Sequence, residues 1–355
     1  MSRSSRKWDH INLAVDSPIE QIQSPWDDLR FVHHALPESS MHEVQLDTMV
    51  AGRKWTTPIY VNAMTGGAVG TESINAELAE IANEYGLSMA VGSQRAALLD
   101  EELQHTFRVV RQKMKNGIVM ANIGADVSLE FAIRAVDMLE ADYLQIHLNP
   151  VQELIMPEGD RDFRGHIQNI EKLLHYLPIP IIVKEVGFGM AREIYEDLIS
   201  IGVKVLDVGG RGGTNFSWIE NKRRDDYELQ YLNEWGQTTL VSLLEAQSYH
   251  RQMEWLASGG IKNSLDMVKS FALGARAVGV AGPVLRMLQK EGAKAVRWQI
   301  EEWLHGLRIL FTLLGVRDLE GLTKTPLIVS GDAAAWCNAR GIDLQTLASR
   351  RHKFS

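Results

Sequence analysis

Residues 255–283 read WLASGGIKNSLDMVKSFALGARAVGVAGP. The stretch opens on a short apolar run, Trp255 to Ser258, that stops at Gly259-Gly260. A helix pattern follows from Ser264 through Leu265, Val268 and Leu273, and Gly274 closes it. A second apolar run, Ala277 to Val280, ends in Ala281-Gly282-Pro283, where Pro283 suits the first position of a further helix. Strand runs this continuously apolar belong to a parallel sheet covered on both faces.

The same unit repeats upstream. Further apolar runs span Pro58 to Asn62, Leu87 to Val91, Ile118 to Asn122, Tyr143 to His147, Ile181 to Glu185 and Val205 to Val208. Helical spacing lies between them. Ile74, Leu78, Ile81 and Tyr85 precede Gly86; Phe131, Ala135, Met138 and Leu139 precede the fourth run; Ile194, Leu198 and Ile201 precede Gly202. Strand and helix alternate eight times in all, which predicts an α/β fold of the (β/α)8 TIM-barrel kind rather than an open doubly wound sheet. One domain over 1–355 is expected, with a barrel core at about 56–315, an N-terminal segment 1–55 and a C-terminal helical segment. In the latter, Val296, Ile300, Trp303, Leu304 and Leu307 share one helical face, as core or as a subunit contact.

The chain has 355 residues with 37 basic and 45 acidic side chains, a formal charge of −8. That balance argues against nucleic-acid binding. Cys337 is the single cysteine, so no intrachain disulfide and no cysteine-rich zinc site can form. No stretch approaches the roughly 18 apolar residues of a membrane span, and Met1 to His10 lacks the apolar core of a signal peptide. The expectation is a soluble, cytoplasmic protein with no nucleic-acid or membrane partner.

In such a barrel the active site lies at the C-terminal ends of the strands. Read in that way, the runs end in Asn62-Ala63-Met64-Thr65-Gly66-Gly67, Gly92-Ser93-Gln94-Arg95, Asn122-Ile123-Gly124, His147-Leu148-Asn149 with Gln152-Glu153, Lys184, Gly209-Gly210-Arg211-Gly212-Gly213-Thr214, Ser258-Gly259-Gly260 and Ala281-Gly282-Pro283. The glycines after runs seven and eight, each before a helix start, suit a phosphate, as in a flavin mononucleotide or a sugar phosphate. Lys184 interrupts an apolar strand, where a lysine needs a partner. That partner is either an anionic ligand, such as a reduced flavin ring, or Glu185. Glu153 with phosphate oxygens would suit magnesium. The charged run Glu220 to Asp226 reads as a solvated loop, and Arg6, Lys7 and His10 as a solvated tail unless the tail folds over an anionic substrate.

These residues fall into a known pattern. Arg6-Lys7-x-x-His10, Ala63-Met64-Thr65-Gly66-Gly67, Gly92-Ser93-Gln94-Arg95, Asn122-Ile123-Gly124-Ala125-Asp126, Gln145-Ile146-His147-Leu148-Asn149, Gln152-Glu153, Lys184-Glu185-Val186-Gly187-Phe188-Gly189 and Gly212-Gly213-Thr214-Asn215 occur in order. Together they resemble the type 2 isopentenyl diphosphate isomerases from Arg6 to about Pro283. The resemblance implies an FMN-containing barrel that interconverts isopentenyl and dimethylallyl diphosphate, with reduced FMN, Mg2+ and NADPH as the reductant, assembled as a homotetramer or homo-octamer. Carried over by motif, Ala63, Met64, Thr65, Ser93, Asn122, Lys184, Thr214, Gly259, Gly260, Lys262, Ala281 and Gly282 would hold FMN. Arg6, Lys7, His10, Arg95, His147 and Asn149 would hold the diphosphate, with Gln152 beside the substrate, Glu153 on magnesium and Glu220 as a further carboxylate nearby. Gln152, Glu220 and Lys184 are the catalytic candidates, and segment 1–55 would cover the substrate.

Three rivals stand beside this reading. An FMN-dependent 2-hydroxy-acid oxidase or dehydrogenase needs a histidine base, typically in His-Gly-Gly-Arg, but Val208-Gly209-Gly210-Arg211 has valine there. A flavin-storing protein would not need the Arg6 cluster or Glu153. A sugar-phosphate enzyme on the same barrel would bind no flavin. The standard signatures GxGxxG, GxxxxGK[ST], HExxH and GxSxG are absent.

Overall fold

A computed structural model describes residues 3–16, 24–224 and 228–350, with side chains described from Arg6 onward in the first segment. Eight parallel strands close into a barrel: β1 (Ile59–Val61), β2 (Ser88–Ala90), β3 (Val119–Gly124), β4 (Tyr143–Leu148), β5 (Ile181–Glu185), β6 (Val205–Asp207), β7 (Glu254–Ser258) and β8 (Ala275–Val280). Each falls on one of the eight apolar runs, and β8 pairs with β1 through Val278 and Ile59 to complete the ring.

Two apolar cores result. Tyr60, Ala90, Met120, Tyr143, Ile182, Val205, Leu256 and Ala277 fill the barrel interior, large beside small. A larger core lies between the barrel and its helices. The expected helices form at Thr71–Tyr85, Leu129–Leu139, Arg192–Ser200 and Ser264–Ala272. Gly86 ends the first with φ +66°, a left-handed turn that a Cβ would resist. Pro283 occupies the second position of Gly282–Glu291, not the first, because Gly282 itself enters the helix. In the long helix Ala293–Leu313, Val296, Ile300, Trp303 and Leu307 are buried within the chain, so that face is core.

Segment 1–55 divides between both ends of the barrel. The helix Arg3–Asp16 lies at the cavity, where Arg6, Lys7 and His10 are lining residues. Leu29–Phe31 pairs antiparallel with Leu327–Val329 of the C-terminal segment. Thr48–Val50 and Arg53–Trp55 form a hairpin whose turn, Ala51 and Gly52, has positive φ at both residues. This hairpin plugs the opposite, N-terminal end of the barrel. Trp55 donates from Nε1 to the Tyr143 hydroxyl at 3.1 Å, Tyr143 donates to the Val50 carbonyl at 2.7 Å, and the Ala51 amide donates to Glu254 at 2.7 Å. Trp55 meets Tyr60 and Tyr143 edge-on at 5.7 and 5.8 Å. Replacing Trp55 by Ala empties this plug and is expected to cost about 3–5 kcal/mol of stability. Chemical denaturation with an unchanged midpoint would show that the hairpin contributes nothing.

Candidate functional site

One cavity of about 930 Å³ opens at the C-terminal rim of the barrel. Every residue assigned above to substrate, cofactor or metal lines it, from Arg6, Lys7 and His10 to Ala281 and Gly282. Glu220 does not line it; its side chain is fully buried behind Gln152.

The glycine turns shape one wall. Gly259 has φ +87° and packs so closely on the Gly210 carbonyl that a Cβ would lie 1.9 Å from that oxygen. Gly260 (φ +71°) packs more loosely on Gly212, whose Cα a Cβ would meet at 3.1 Å, and a Cβ on Gly282 would sit 2.7 Å from the Thr214 hydroxyl. Trp26 donates from Nε1 to the Gly260 carbonyl at 3.2 Å, pinning the turn from outside. Small residues before helix starts leave backbone N–H groups facing the cavity, the arrangement a phosphate needs. The cavity's size, this glycine wall and a buried lysine at its floor fit a flavin nucleotide.

Lys184 is buried at the end of β5. Its Nζ donates to the Glu185 carbonyl at 2.8 Å. The Glu185 carboxylate is engaged elsewhere: its Oε2 accepts from the Val186 and Gly187 amides at 2.7 Å and from Phe188, so it caps the β5 turn. The salt-bridge alternative for Lys184 is therefore not what forms. Burial lowers the Lys184 ammonium's pKa, against the pull of Asp207 and Glu185. Burial also pushes the Glu185 carboxyl up to about 7. Thr65 spends its hydroxyl on Asn75 at 2.5 Å, and its carbonyl accepts from the Gly92 amide at 2.9 Å.

His147 is held by Asn122. The Asn122 amide donates to the Val91 carbonyl at 3.1 Å, so its Oδ1 faces His147 Nδ1 at 2.9 Å. Nδ1 then carries the proton, and Nε2 is the ring nitrogen left for a ligand. Burial, with Lys184 beside it, lowers the imidazole to about 3. Gln94 orients Asn122 in turn, accepting from its backbone N–H at 2.9 Å. Arg95 pairs with Asp126, and Lys7 reaches the Ser93 carbonyl at 3.5 Å. Burial and Arg6 lower the Lys7 ammonium to about 8.

The charged run after β6 is not a solvated loop at its start. Glu220 lies in the helix Phe216–Lys222 and is fully buried; residues 225–227 lie outside the described part. His10 Nε2 stands 2.8 Å from Glu220 Oε1, and Gln152 Nε2 donates to the same oxygen at 2.9 Å. Arg223, 4% exposed, spans Glu220 at 2.5 Å and Glu158 at 2.7 Å. Burial works to raise the Glu220 carboxyl, but His10, Gln152 and Arg223 outweigh it and hold the group below the usual carboxylate range. The basic N-terminal tail is thus a helix laid over the cavity, because a buried carboxylate partners it. Arg6 reaches Met156 Sδ at 3.7 Å and Glu158 at 3.7 Å.

Glu153 accepts from Asn149 Nδ2 and from the Asp160 amide, each at 2.9 Å. Among the described residues no group of three or more His, Cys, Asp or Glu side chains could hold a metal alone. One carboxylate plus ligand phosphate oxygens is, however, the usual magnesium arrangement, and the donor set fits it. Sequence reasoning missed Arg223, Glu158 and Asp207. For Asp207 the signal was present: an acid inside an apolar strand, by the logic that singled out Lys184.

Comparison with known proteins agrees with this geometry. Residues 107–329 match the family of FMN-dependent dehydrogenases. An isopentenyl-diphosphate delta-isomerase of Geobacillus sp. (strain WCH70) is 46% identical over 351 residues, covering 99% of this chain and 100% of the relative. That of Staphylococcus haemolyticus (strain JCSC1435) is 42% identical, covering 96% and 98%. Among solved structures, a lactate oxidase of Pediococcus acidilactici superposes with a TM-score of 0.65 at 16% identity, over 92% and 93% of the two chains. A mandelate oxidase mutant with a monooxide FMN adduct superposes with a TM-score of 0.60 at 16% identity, over 93% of each chain. At such identity the superpositions speak to the barrel alone. The near full-length relatives speak to the family: this chain is a member of the isopentenyl-diphosphate delta-isomerases, built on the barrel of the FMN-dependent dehydrogenases.

Proposed function

We propose that this protein interconverts isopentenyl diphosphate and dimethylallyl diphosphate by a 1,3-proton shift, with reduced FMN and Mg2+ bound and NADPH as the reductant. The observation that carries the reading is a single cavity lined by two anion-binding sets, the glycine wall and the Arg6, Lys7 and His10 helix. One phosphate group belongs to the cofactor and the diphosphate to the substrate.

Bound reduced FMN supplies an electron-rich ring against which a developing tertiary carbocation is stabilised. The chain's own residues do the rest. Ala63, Met64, Thr65, Ser93, Asn122, Thr214, Gly259, Gly260, Lys262, Ala281 and Gly282 hold the cofactor, and Lys184 brings a positive charge to it. Arg6, Lys7, His10, Arg95, His147 and Asn149 clamp the diphosphate, which fixes the hydrocarbon end and lowers the entropic barrier. Glu153 holds magnesium. Gln152 lies against the substrate with its amide anchored at both ends, donating to Glu220 at 2.9 Å and accepting from Asn149 at 3.3 Å. Glu220 acts through Gln152 and His10, since it has no surface of its own in the cavity. The 2-hydroxy-acid oxidase reading lacks its base: Val208 is buried and apolar.

The test is anaerobic NMR of the alkene protons in a mixture of protein, FMN, NADPH, Mg2+ and isopentenyl diphosphate. Dimethylallyl diphosphate is expected, and its formation should stop with the flavin kept oxidised. Bound, reducible FMN without any product would overturn the reading. Glu153→Gln is expected to lose both activity and its magnesium dependence, roughly 100-fold or more in kcat/KM; a variant still activated fully by Mg2+ removes Glu153 as a ligand. Among the described residues no helix is long and apolar enough to cross a membrane. A cytoplasmic homotetramer or homo-octamer completes the reading, and light scattering measures the assembly.

A further inference from the structure

Asp207 is fully buried at the C-terminal end of β6 and has no part in the chemistry above. It stands directly across from Lys184 of β5, and residues paired across adjacent strands face the same side. Its carboxylate gathers donors from across the barrel. The Tyr60 hydroxyl donates to Oδ2 at 2.6 Å and Asn62 Nδ2 donates to it at 3.0 Å. Ser258 donates to Oδ1 at 2.7 Å, and the Gly209 amide donates to Oδ1 at 3.2 Å. Asn62 and Ser258 line the cavity; Asp207 does not. A buried charge is costly unless it answers another one. Lys184 is the cation it faces.

We propose that Asp207 is a positioning residue for Lys184: its buried negative charge balances the Lys184 ammonium at the floor of the cavity, so that FMN capture by Lys184 depends on Asp207. The proposal rests on the FMN reading of the cavity. The charged and titratable groups around the pair are Glu185, His147 and Tyr60. Burial works against the Lys184 charge, and Asp207 is the foremost group supporting it, ahead of Glu185. His147 is kept neutral by its burial and by Lys184. The Tyr60 hydroxyl, raised by burial and then by Asp207, stays a donor.

The test follows quenching of oxidised FMN fluorescence by the apoprotein across pH. Wild-type affinity should weaken on the alkaline side as Lys184 loses its proton, and Lys184→Ala should lack that limb. A lysine deprived of its anionic neighbour gives up its proton at lower pH. Asp207→Asn should therefore move the limb down by about one pH unit, with affinity about tenfold weaker on that slope. Tyr60→Phe removes one hydrogen bond and no charge, so its limb should stay at the wild-type pH. A limb unmoved in Asp207→Asn, or moved equally in Tyr60→Phe, overturns the proposal. If Asp207→Asn does not fold, Asp207→Ser, which leaves room for a water among the donors, carries the same expectation. A wild-type chain that quenches no FMN at any pH overturns the FMN reading itself and the proposal with it.

Discussion

Glu220→Gln is expected to lower kcat/KM by about 10²–10⁴-fold while FMN stays bound. Among the described residues, Glu220 is the one acidic group that touches His10, Gln152 and Arg223 together. The neutral amide keeps the volume but withdraws the charge that draws the N-terminal helix and Gln152 into place. Arg223 still has Glu158 at 2.7 Å, so the fold should survive. The loss should therefore fall on catalysis and not on FMN fluorescence quenching. Activity within about threefold of wild type would remove Glu220 from the machinery. The pH dependence has a definite sign. Because Glu220 is held below the usual carboxylate range in the folded chain, its contribution to stability is present above that range. It is lost as the pH falls through the lowered value.

Gly259→Ala is expected to cost roughly 3 kcal/mol or more of stability and, unlike a change elsewhere in the barrel, to take the FMN site with it. The new methyl would lie 1.9 Å from the Gly210 carbonyl oxygen, and that obstacle is backbone. A flexible side chain would swing away, but a β6 loop carbonyl cannot without moving Gly209 to Gly213. The φ of +87° adds a second penalty for any L side chain. Thermal unfolding and FMN titration measure the two effects separately. A variant with wild-type Tm and wild-type FMN affinity would show that the two turns are not locked together.

The barrel was legible because it is written in local pattern. A strand covered on both faces must be apolar along its length, and a helix on its outside must be apolar on one side. Those demands recur eight times here, in runs such as IIVKE and WLAS. The rim was legible for a related reason: strand ends in this fold carry the chemistry, so the residue after each run could simply be read off. Lys184 stood out because a charge in an apolar strand is expensive. Asp207 obeyed the same rule but was read as part of the VLDV strand.

Pairings between distant segments were not legible. Nothing local in Glu220 to Asp226 distinguishes a buried acid from a solvated one; Glu220 is buried because His10, more than two hundred residues away in the chain, closes over it. The segment before the barrel has no local mark that sends Arg3–Asp16 to one end of the barrel and the Thr48 to Trp55 hairpin to the other. The salt bridge suggested between the neighbours Lys184 and Glu185 was locally reasonable, yet three backbone amides claim Glu185 first. Local sequence determined the strands, the apolar faces of the helices and the rim at the strand ends, because periodicity and turn chemistry act over a few residues. Only the tertiary structure decided which charges meet, because burial and Coulomb attraction depend on distance in space rather than along the chain.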